Sequence, residues 1–394
     1  MTNSESIDAA RLLVSRYEPT PPQKLYLYDD TLRDGEQTIG VAFSLEQKLE
    51  IAQKLIDAGI WHMTLGFPAV SESEREIVSE LAKLDRSEGF YAIARCIPSD
   101  FEVVLDCGVK KVGTWIPISD SHLRHKLRVT EDQAFDMMIE GIRVATSMNV
   151  PVRFALEDAT RAPYERIARF ARGAIDAGAE AITIADTCGI LTPNTAFGLF
   201  KDLRALIGPD AHLVAHFHND LGMATANSLM AYLGGASMIQ GSFAGLGERT
   251  GNVALEELAT ALIVKFDADI GVDLVKLKEI AYLVASYAGM AIAPSKPVLG
   301  KNIFCHESGV HVQGIMRNPA TYEPYPPALI GSEHQIHFGK HSGLSGIQHV
   351  ATAEGITASD ADMRIILNKV KVLGEDGHSS TRAEIAKMLA EVQA

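Results

Sequence analysis

The stretch Val214-Ala-His-Phe-His-Asn-Asp220 joins a short apolar run to a group of polar side chains. If the run is a β-strand, residues two apart share a face, so His216 and His218 project the same way while Phe217 projects oppositely. Two imidazoles on one face can meet on a single divalent metal ion. Taken alone, however, the pattern favours a packed histidine beside a solvated one, with no metal. Other features of the sequence are needed to tell whether these two histidines form a metal site.

Similar apolar runs occur eight times, and longer amphipathic stretches separate them. The predicted strands are 25–29, 63–67, 91–96, 111–118, 152–157, 181–186, 213–218 and 238–243. Among the helices between them, 44–59 has Ser44 as its predicted N-cap and Gly59 just past its end. Eight strand and helix units in about 260 residues predict an α/β fold of the (β/α)8 TIM barrel type, with a doubly wound sheet as the alternative.

Polar side chains follow the predicted strands where each strand ends, and these positions favour the barrel. They are Asp29, Asp30, Arg33, Asp34, Arg95, Glu157, Asp158, Asp186, Thr187, His216 and His218. In a barrel all such strand ends form one rim, and closure makes strands seven, eight and one neighbours. His216 and His218 would then converge with Asp34 and with a residue of the loop 245–252. This set of nitrogen and oxygen ligands suits Mg, Mn or Zn without choosing among them.

The alternation stops near residue 290, where prolines and glycines break up the sequence. We therefore predict an N-terminal lead-in over 1–22, a catalytic barrel over 23–290 and a smaller, mostly helical C-terminal module over 291–394. The module carries its own polar cluster at 305–311, and its last part, 359–394, is predicted to form two helices.

Composition excludes several classes of protein. The chain has 394 residues, of which 47% are hydrophobic, and a formal net charge of −14, so a nucleic acid or an anionic membrane is not the expected partner. Its four cysteines show no C-x-x-C spacing, which favours a reducing, cytoplasmic setting over a disulfide framework or a thiolate zinc site. We expect neither an export signal nor a membrane span.

Five motifs together resemble the family of 2-isopropylmalate and homocitrate synthases. They are DDTLRDGEQ (29–37), HFHND (216–220), GLGERTGN (245–252), HESGVHVQG (306–314) and GKHSG (339–343). The last two are most similar to the homocitrate synthases of nitrogenase-cofactor type. The resemblance implies a metal-dependent enzyme that condenses acetyl-CoA with a 2-oxo acid. It also implies a homodimer in which the C-terminal module reaches the partner's barrel and contributes to its active site.

Carried over residue by residue, the resemblance implies roles for named side chains. The metal ligands would be Asp34, His216, His218 and Asn252. The catalytic residues would be His311 as the base or part of its relay, Arg33 beside the developing alkoxide, and Glu157. Thr187 and Tyr322 would bind substrate together with Arg33. For each of these residues a structural or solvated role is the alternative.

The acceptor is predicted from charge. A second acidic group on the 2-oxo acid needs cations at the rim. The sequence offers Arg95 and Arg124 as substrate-binding residues, with His125 and Arg153 nearby, although each one taken singly fits a solvated residue or one turned toward the helices equally well. Homocitrate formed from 2-oxoglutarate is the leading product. The alternatives are a 2-phosphonomethylmalate, citramalate or 2-isopropylmalate synthase, a hydroxymethylglutaryl-CoA lyase-type enzyme, and a catalytically inactive metal-binding protein.

The sequence departs from the family pattern at a few positions. Many members carry Glu at the position of Thr64 and Asn at that of Ala244. Homocitrate synthases of the lysine pathway commonly have Glu in place of Asp34 and His in place of Ile97. The long regulatory domain of leucine-pathway synthases is not expected. The surroundings of the acceptor are therefore expected to differ from those in these relatives.

Overall fold

The computed structural model describes residues 4–22 and 24–392. Residues 1–3 of the predicted lead-in, residue 23 at the predicted start of the barrel and residues 393–394 of the predicted module lie outside this part of the chain. The described residues form two compact units. One spans 14–292, and the other spans 293–392 together with 4–13, which contain the helix α1 (Ser4–Arg11).

Eight parallel strands close into a barrel in the larger unit, each paired with its neighbours in the sequence and β8 paired with β1. They are β1 (Tyr26–Asp29), β2 (His62–Thr64), β3 (Phe90–Ile93), β4 (Lys111–Pro117), β5 (Val152–Glu157), β6 (Ala181–Asp186), β7 (His212–Phe217) and β8 (Met238–Gly241). The predicted TIM barrel is confirmed, and the doubly wound alternative is excluded because the sheet has no open edge.

In this unit one short helix precedes β1, and the other helices lie between or after the strands. They are α2 (Val14–Tyr17), α3 (Leu45–Asp57), α4 (Glu72–Leu81), α5 (Pro98–Asp106), α6 (Asp120–His122), α7 (Glu131–Ser147), α8 (Tyr164–Asp176), α9 (Pro193–Ile207), α10 (Ala224–Leu233), α11 (Leu255–Phe266) and α12 (Leu274–Tyr287). Local sequence explains α3 well. Ser44 and Gln47 form a reciprocal capping box at its start, and Gly59, just past its end, has a φ of 95° that suits glycine. Both predicted ends of this helix are confirmed.

Large aromatic side chains fill the lower part of the barrel interior. Tyr28, Tyr91, Ala181, Val214 and Met238 are buried and pack together. Strand alternation accounts for this core, because every second residue of each strand points inward. The interior below the C-terminal rim therefore contains a packed cluster of side chains.

The smaller unit is mostly helical, as predicted. Its helices after α1 are α13 (Gly309–Arg317), α14 (Leu344–Ala353), α15 (Asp360–Glu375) and α16 (Arg382–Val392), and the last two are the predicted closing helices. A three-stranded sheet of β9 (Cys305–His306), β10 (Gln335–Phe338) and β11 (Ser380–Thr381) accompanies them. Phe338, Ile347 and Leu389 belong to its apolar core. No helix in the described ranges of the chain has the length and apolar character needed to cross a membrane.

Candidate active site

Three potential metal ligands come together at the C-terminal rim of the barrel. Asp34 lies in the loop after β1, His216 lies on β7, and His218 directly follows that strand. One ligand atom from each lies within 4.8 Å of the other two. His216 Nε2 is 3.5 Å from Asp34 Oδ2 and 3.3 Å from His218 Nε2. Barrel closure thus joins side chains that are far apart in the sequence.

A tight turn after β1 positions Asp34. The backbone N–H groups of Arg33 and Gly35 both donate to the carbonyl of Asp30, at 3.2 and 2.9 Å. A Cβ on Gly35 would lie 3.3 Å from Leu246 Cβ, so glycine allows this turn to pack against the loop after β8. The guanidinium of Arg33 binds the carboxylates of Asp30 and Asp34, the latter at 3.1 Å. The turn therefore places the guanidinium of Arg33 directly beside the three potential metal ligands, a group of side chains called the metal cluster below.

The loop after β8 brings Asn252 to the same cluster. The N–H of Asn219 donates to the carbonyl of Gly251 at 2.9 Å, and His218 forms an isolated β-bridge with Asn252. The amide nitrogen of Asn252 donates to the carbonyl of Leu246 at 3.0 Å. Its Oδ1 is buried and has no hydrogen-bond partner among the residues that the structure describes. The fourth predicted ligand thus lies next to the other three with an oxygen available.

The donor set fits a divalent metal ion. Asp34, His216, His218 and Asn252 are each at most 7% exposed. Asp34 Oδ1 and Asn252 Oδ1 are buried without a hydrogen-bond partner in the described part of the chain, and the Nε2 atoms of the two histidines lie next to each other. Buried polar atoms are normally satisfied, and nitrogen with carboxylate and amide oxygen is a common donor set for Zn, Mn and Mg.

Electrostatics keep these ligands in the protonation states that metal binding requires. Burial by itself would raise the pKa of Asp34, but Arg33 and the two imidazoles outweigh it and lower the pKa to about 2. Burial lowers the pKa of His216 to about 3 and also lowers the pKa of His218, although the charge of Asp34 opposes both changes. At neutral pH the imidazoles are therefore neutral, which leaves Arg33 as the cation that keeps Asp34 ionised.

A cavity of about 380 Å³ opens beside the cluster. Six of the predicted site residues line it: Arg33, Asp34, Glu157, Thr187, His216 and His218. Phe67 and Trp115 form an aromatic part of the wall, with ring centroids 5.9 Å apart and an edge-to-face arrangement. The cavity therefore combines the metal cluster, charged side chains and an apolar wall.

Glu157 is paired with a cation that the sequence analysis missed. Lys126 Nζ lies 2.7 and 2.9 Å from the two carboxylate oxygens of Glu157, and His122 Nδ1 lies 3.6 Å from one of them. Lys126 belongs to a short π-helical segment, Leu123–Leu127, and lines the cavity. No periodicity in the sequence predicts a π-helical segment, so the sequence does not indicate that Lys126 faces the cavity.

Arg153 is the most deeply placed cation of the cavity. It is 3% exposed, lies over the rings of Tyr28 and Tyr91, and donates from Nη1 to Gln240 Oε1 at 2.7 Å. In the described part of the chain its Nε has no hydrogen-bond partner and no carboxylate pairs with it directly, although Gln240 links it to Asp30 by donating from Nε2 to Asp30 Oδ2 at 2.7 Å. Thr183, which also lines the cavity, has a buried, unpartnered hydroxyl. Of the four cations considered from sequence, Arg153 is the one that reaches the cavity.

Arg95 and Arg124 do not line the cavity. The predicted position of Arg95 at the end of the third strand is wrong, because β3 ends at Ile93 and Ile93 itself lines the cavity. The exposed guanidinium of Arg95 binds Asp100 at 2.8 and 2.9 Å. Arg124 is exposed in the π-helical segment. In the described part of the chain neither arginine lines the cavity, although Arg124 lies in the same segment as Lys126, and their role in binding substrate stays a prediction.

The predicted residues of the smaller unit, His311 and Tyr322, lie against each other. Their rings are stacked, with centroids 4.1 Å apart and planes 28° apart. A Cβ on Gly314 would lie 2.7 Å from Tyr322 Cε2, so this glycine of α13 makes room for the tyrosine ring. His311 is exposed. The pair thus presents an imidazole supported by an aromatic ring.

Comparison with known families now identifies the chain. Residues 24–284 match the family described as HMGL-like, and residues 298–378 match the domain described as homocitrate synthase post-HMGL domain-like. The chain belongs to the HMGL-like family. The predicted resemblance to homocitrate and 2-isopropylmalate synthases is confirmed, and so is the assignment of this HMGL-like protein as an enzyme of the synthase type.

Named relatives fall into two groups of synthases. The homocitrate synthase AksA of Methanocaldococcus jannaschii is 39% identical, over 96% of this chain and 94% of the relative. The 2-isopropylmalate synthase of Sulfurisphaera tokodaii is 36% identical, over 93% of this chain and 95% of the relative. Among solved structures, the HMG-CoA lyase of Bacillus subtilis matches with a TM-score of 0.62 and 22% identity, over 71% of this chain and 98% of that one. This last match supports the fold alone.

Proposed function

We propose that this HMGL-like protein condenses acetyl-CoA with a 2-oxo acid and hydrolyses the thioester. The convergence of Asp34, His216 and His218 beside Arg33 carries the proposal. Bound there, a divalent cation would supply Lewis-acid polarisation of the keto group. Relatives named homocitrate synthase and 2-isopropylmalate synthase, at 36–39% identity over nearly the whole chain, support this reaction class.

Each step of the reaction needs one group from the protein. A base removes a proton from the acetyl methyl carbon, and we assign this role to His311 or a relay that contains it. The carbanion attacks the keto carbon, a C–C bond forms, and the keto oxygen becomes an alkoxide. Arg33 stabilises that charge. Water then hydrolyses the thioester and releases the thiol of CoA. Glu157 and Thr187 hold substrate groups at the cavity wall.

The acceptor carries a second acidic group, and the position of Arg153 supports this assignment. Gln240 links the buried guanidinium of Arg153 to Asp30, but no carboxylate pairs with it directly in the described part of the chain, so an anion supplied by a ligand would stabilise it. Thr114 and Thr183, whose hydroxyls have no hydrogen-bond partner in the described part of the chain, line the same cavity as the free Nε of Arg153. 2-Oxoglutarate, which gives homocitrate, is our leading acceptor. Phosphonopyruvate, which gives 2-phosphonomethylmalate, has the same charge pattern and is the alternative.

The test is release of free thiol from acetyl-CoA with five acceptors: 2-oxoglutarate, phosphonopyruvate, oxaloacetate, pyruvate and 2-oxoisovalerate. We expect thiol release that depends on added Mg²⁺, Mn²⁺ or Zn²⁺ and the highest kcat/KM with 2-oxoglutarate. A preference for pyruvate or 2-oxoisovalerate would contradict the diacid acceptor. No thiol release with any acceptor, together with cleavage of hydroxymethylglutaryl-CoA, would replace the synthase by a lyase.

We also propose that the enzyme is a homodimer whose smaller unit serves the partner's barrel. Large apolar side chains on the loops after β1, β2 and β7 support it, because Ile39 is 94%, Val70 67% and Leu221 62% exposed. In the smaller unit Val310, next to His311, is 71% exposed. Exposed apolar side chains near a functional site are typical of an interface.

Mixed dimers test this arrangement. His311→Ala and His216→Ala subunits should each be inactive, and mixing them should restore part of the activity, because one hybrid site contains both intact residues. Light scattering should give a dimer. A monomer, or no recovery after subunit exchange has been demonstrated, would remove the proposal.

We place the enzyme in the cytoplasm. All four cysteines, Cys96, Cys107, Cys188 and Cys305, are free thiols. Unpaired cysteines persist where glutathione and thioredoxin keep thiols reduced. Fractionation of the native host should therefore recover the activity with cytoplasmic markers.

A further inference from the structure

A buried lysine lies behind the wall of the cavity. Lys48, on α3, is fully buried although lysine side chains almost always reach water. Its Nζ is 2.7 Å from Glu36 Oε2 and 3.4 Å from Glu74 Oε2. The side chains of Glu36 and Glu74 are 23% and 19% exposed. One cation thus holds two carboxylates that come from different parts of the barrel.

Each carboxylate in turn holds a loop of the active site. Glu36 lies two residues after Asp34, and its Oε1 accepts the backbone N–H of Phe43 at 2.8 Å. Glu74 lies on α4, and its Oε1 accepts the backbone N–H of Phe67 at 3.2 Å. Phe67 lines the cavity next to Trp115. Lys48 therefore lies between the loop that carries a metal ligand and the loop that carries the aromatic wall.

The second contact is tightly packed. A Cβ on Gly66 would overlap Glu74 Oε1, so the carboxylate lies directly against the backbone that leads into Phe67. The two loops make this connection through side chains of α3 and α4, outside the cavity. None of the three charged residues lines the cavity itself. Their effect on the reaction is therefore indirect.

We propose that Lys48 is a positioning residue that couples the Asp34 loop to the Phe67 loop, so that the metal ligand and the acceptor wall are held in one arrangement. The two pairs act as a single unit because both share one ammonium group. Removal of that group leaves the partly buried carboxylates of Glu36 and Glu74 without their shared cation. The two carboxylates that accept hydrogen bonds from the loops are then no longer held in place. Since Asp34 is taken as a metal ligand, this inference rests on the proposed function.

The test compares Lys48→Met with Lys54→Met in the full-length protein. Lys54 lies on the same helix but its side chain is 44% exposed, and its pair with Glu50 is long, at 3.9 Å, which makes it a matched control. Hydrogen exchange by mass spectrometry should show faster exchange in Lys48→Met in two places together, residues 35–43 and 65–70. Lys54→Met should exchange like the unchanged protein in both.

Metal affinity is the second measurement, by calorimetric titration of the metal-free protein with MnCl2. Lys48→Met should bind Mn²⁺ about 10 to 100 times more weakly, the range found when a group that supports a metal ligand is removed. The KM for the acceptor should rise as well, while Lys54→Met changes neither value. Faster exchange in only one loop, or unchanged Mn²⁺ affinity and unchanged exchange, would overturn the inference.

Glu74→Gln serves if Lys48→Met does not fold. This change keeps an oxygen for the N–H of Phe67 and alters no atom of the Asp34 loop. Coupling predicts weaker Mn²⁺ binding and faster exchange over 35–43, and unchanged values would overturn it. If the unchanged protein binds no Mn²⁺, Mg²⁺ or Zn²⁺, the metal site itself fails, whereas the paired exchange result still decides the coupling.

Discussion

Replacement of Arg153 by Met tests the acceptor site most directly. The change keeps an unbranched apolar stem over Tyr28 and Tyr91 and removes the guanidinium. One charge-assisted hydrogen bond from the free Nε to a second acidic group contributes about 1.5–3 kcal/mol. The expected fall in kcat/KM for 2-oxoglutarate is therefore about 10-fold to 150-fold. Most of it should appear in KM, because the contact is distant from the reacting carbon and is present before and during the reaction.

Steady-state kinetics with paired acceptors is the assay. Pyruvate lacks the second acidic group, so its kcat/KM should change little in Arg153→Met. Arg172→Met is the control, because Arg172 is half exposed on α8 and binds Asp176 and a backbone carbonyl outside the cavity. An equal loss for both acceptors, or no loss for either, would refute the reasoning. Loss of the partner of Gln240 also costs about 1–3 kcal/mol of stability, so thermal unfolding must show that the variant is folded at the assay temperature.

Three further predictions follow from the geometry of the barrel unit. His216→Ala and Asp34→Ala should each lose bound metal while the fold survives, since too few donors remain; normal metal content by elemental analysis would contradict the ligand set. Gly251→Ala should destabilise the protein far more than Gly222→Ala in denaturant unfolding, although both glycines have positive φ. A Cβ on Gly251 would overlap the carbonyl of Gly245, whereas Gly222 has open space around it. Gly222→Ala should therefore cost only about 1–2 kcal/mol of stability. Burial lowers the pKa of His62 to about 4, so between pH 4 and 6.5 the unfolded chain binds one more proton at this residue than the folded protein does. His62 therefore makes the free energy of unfolding rise with pH in that window. His62→Phe should reduce the slope of unfolding free energy against pH by up to about 1.4 kcal/mol per pH unit, and an unchanged slope would contradict the lowered pKa.

The sequence was sufficient for the fold and for the centre of the site. All eight strands were predictable because alternation with a period of two residues is a local property, and the ends of α3 were predictable because Ser44 and Gly59 act within one turn of the chain. The His-x-His spacing of His216 and His218 follows from the same alternation. Once the barrel was inferred, closure alone placed Asp34 beside them.

The rest of the site depends on details that only the folded barrel determines. Arg95 and Arg153 were both plausible cations in the sequence, yet β3 ends before Arg95, while Arg153 shares the inward face of β5 with Glu157. The end of a strand predicted from sequence can be wrong by one or two residues, and an error of one residue reverses the predicted direction of a side chain. Lys126 and Lys48 reach Glu157 and Glu36 through long, flexible side chains across different loops, so no spacing in the sequence indicates these pairs. The sequence by itself thus determined the architecture and the convergence of Asp34, His216 and His218, because strand periodicity predicts the barrel and barrel closure brings these residues together. The tertiary structure decided which charges meet, because those contacts join residues that only the closed barrel brings together.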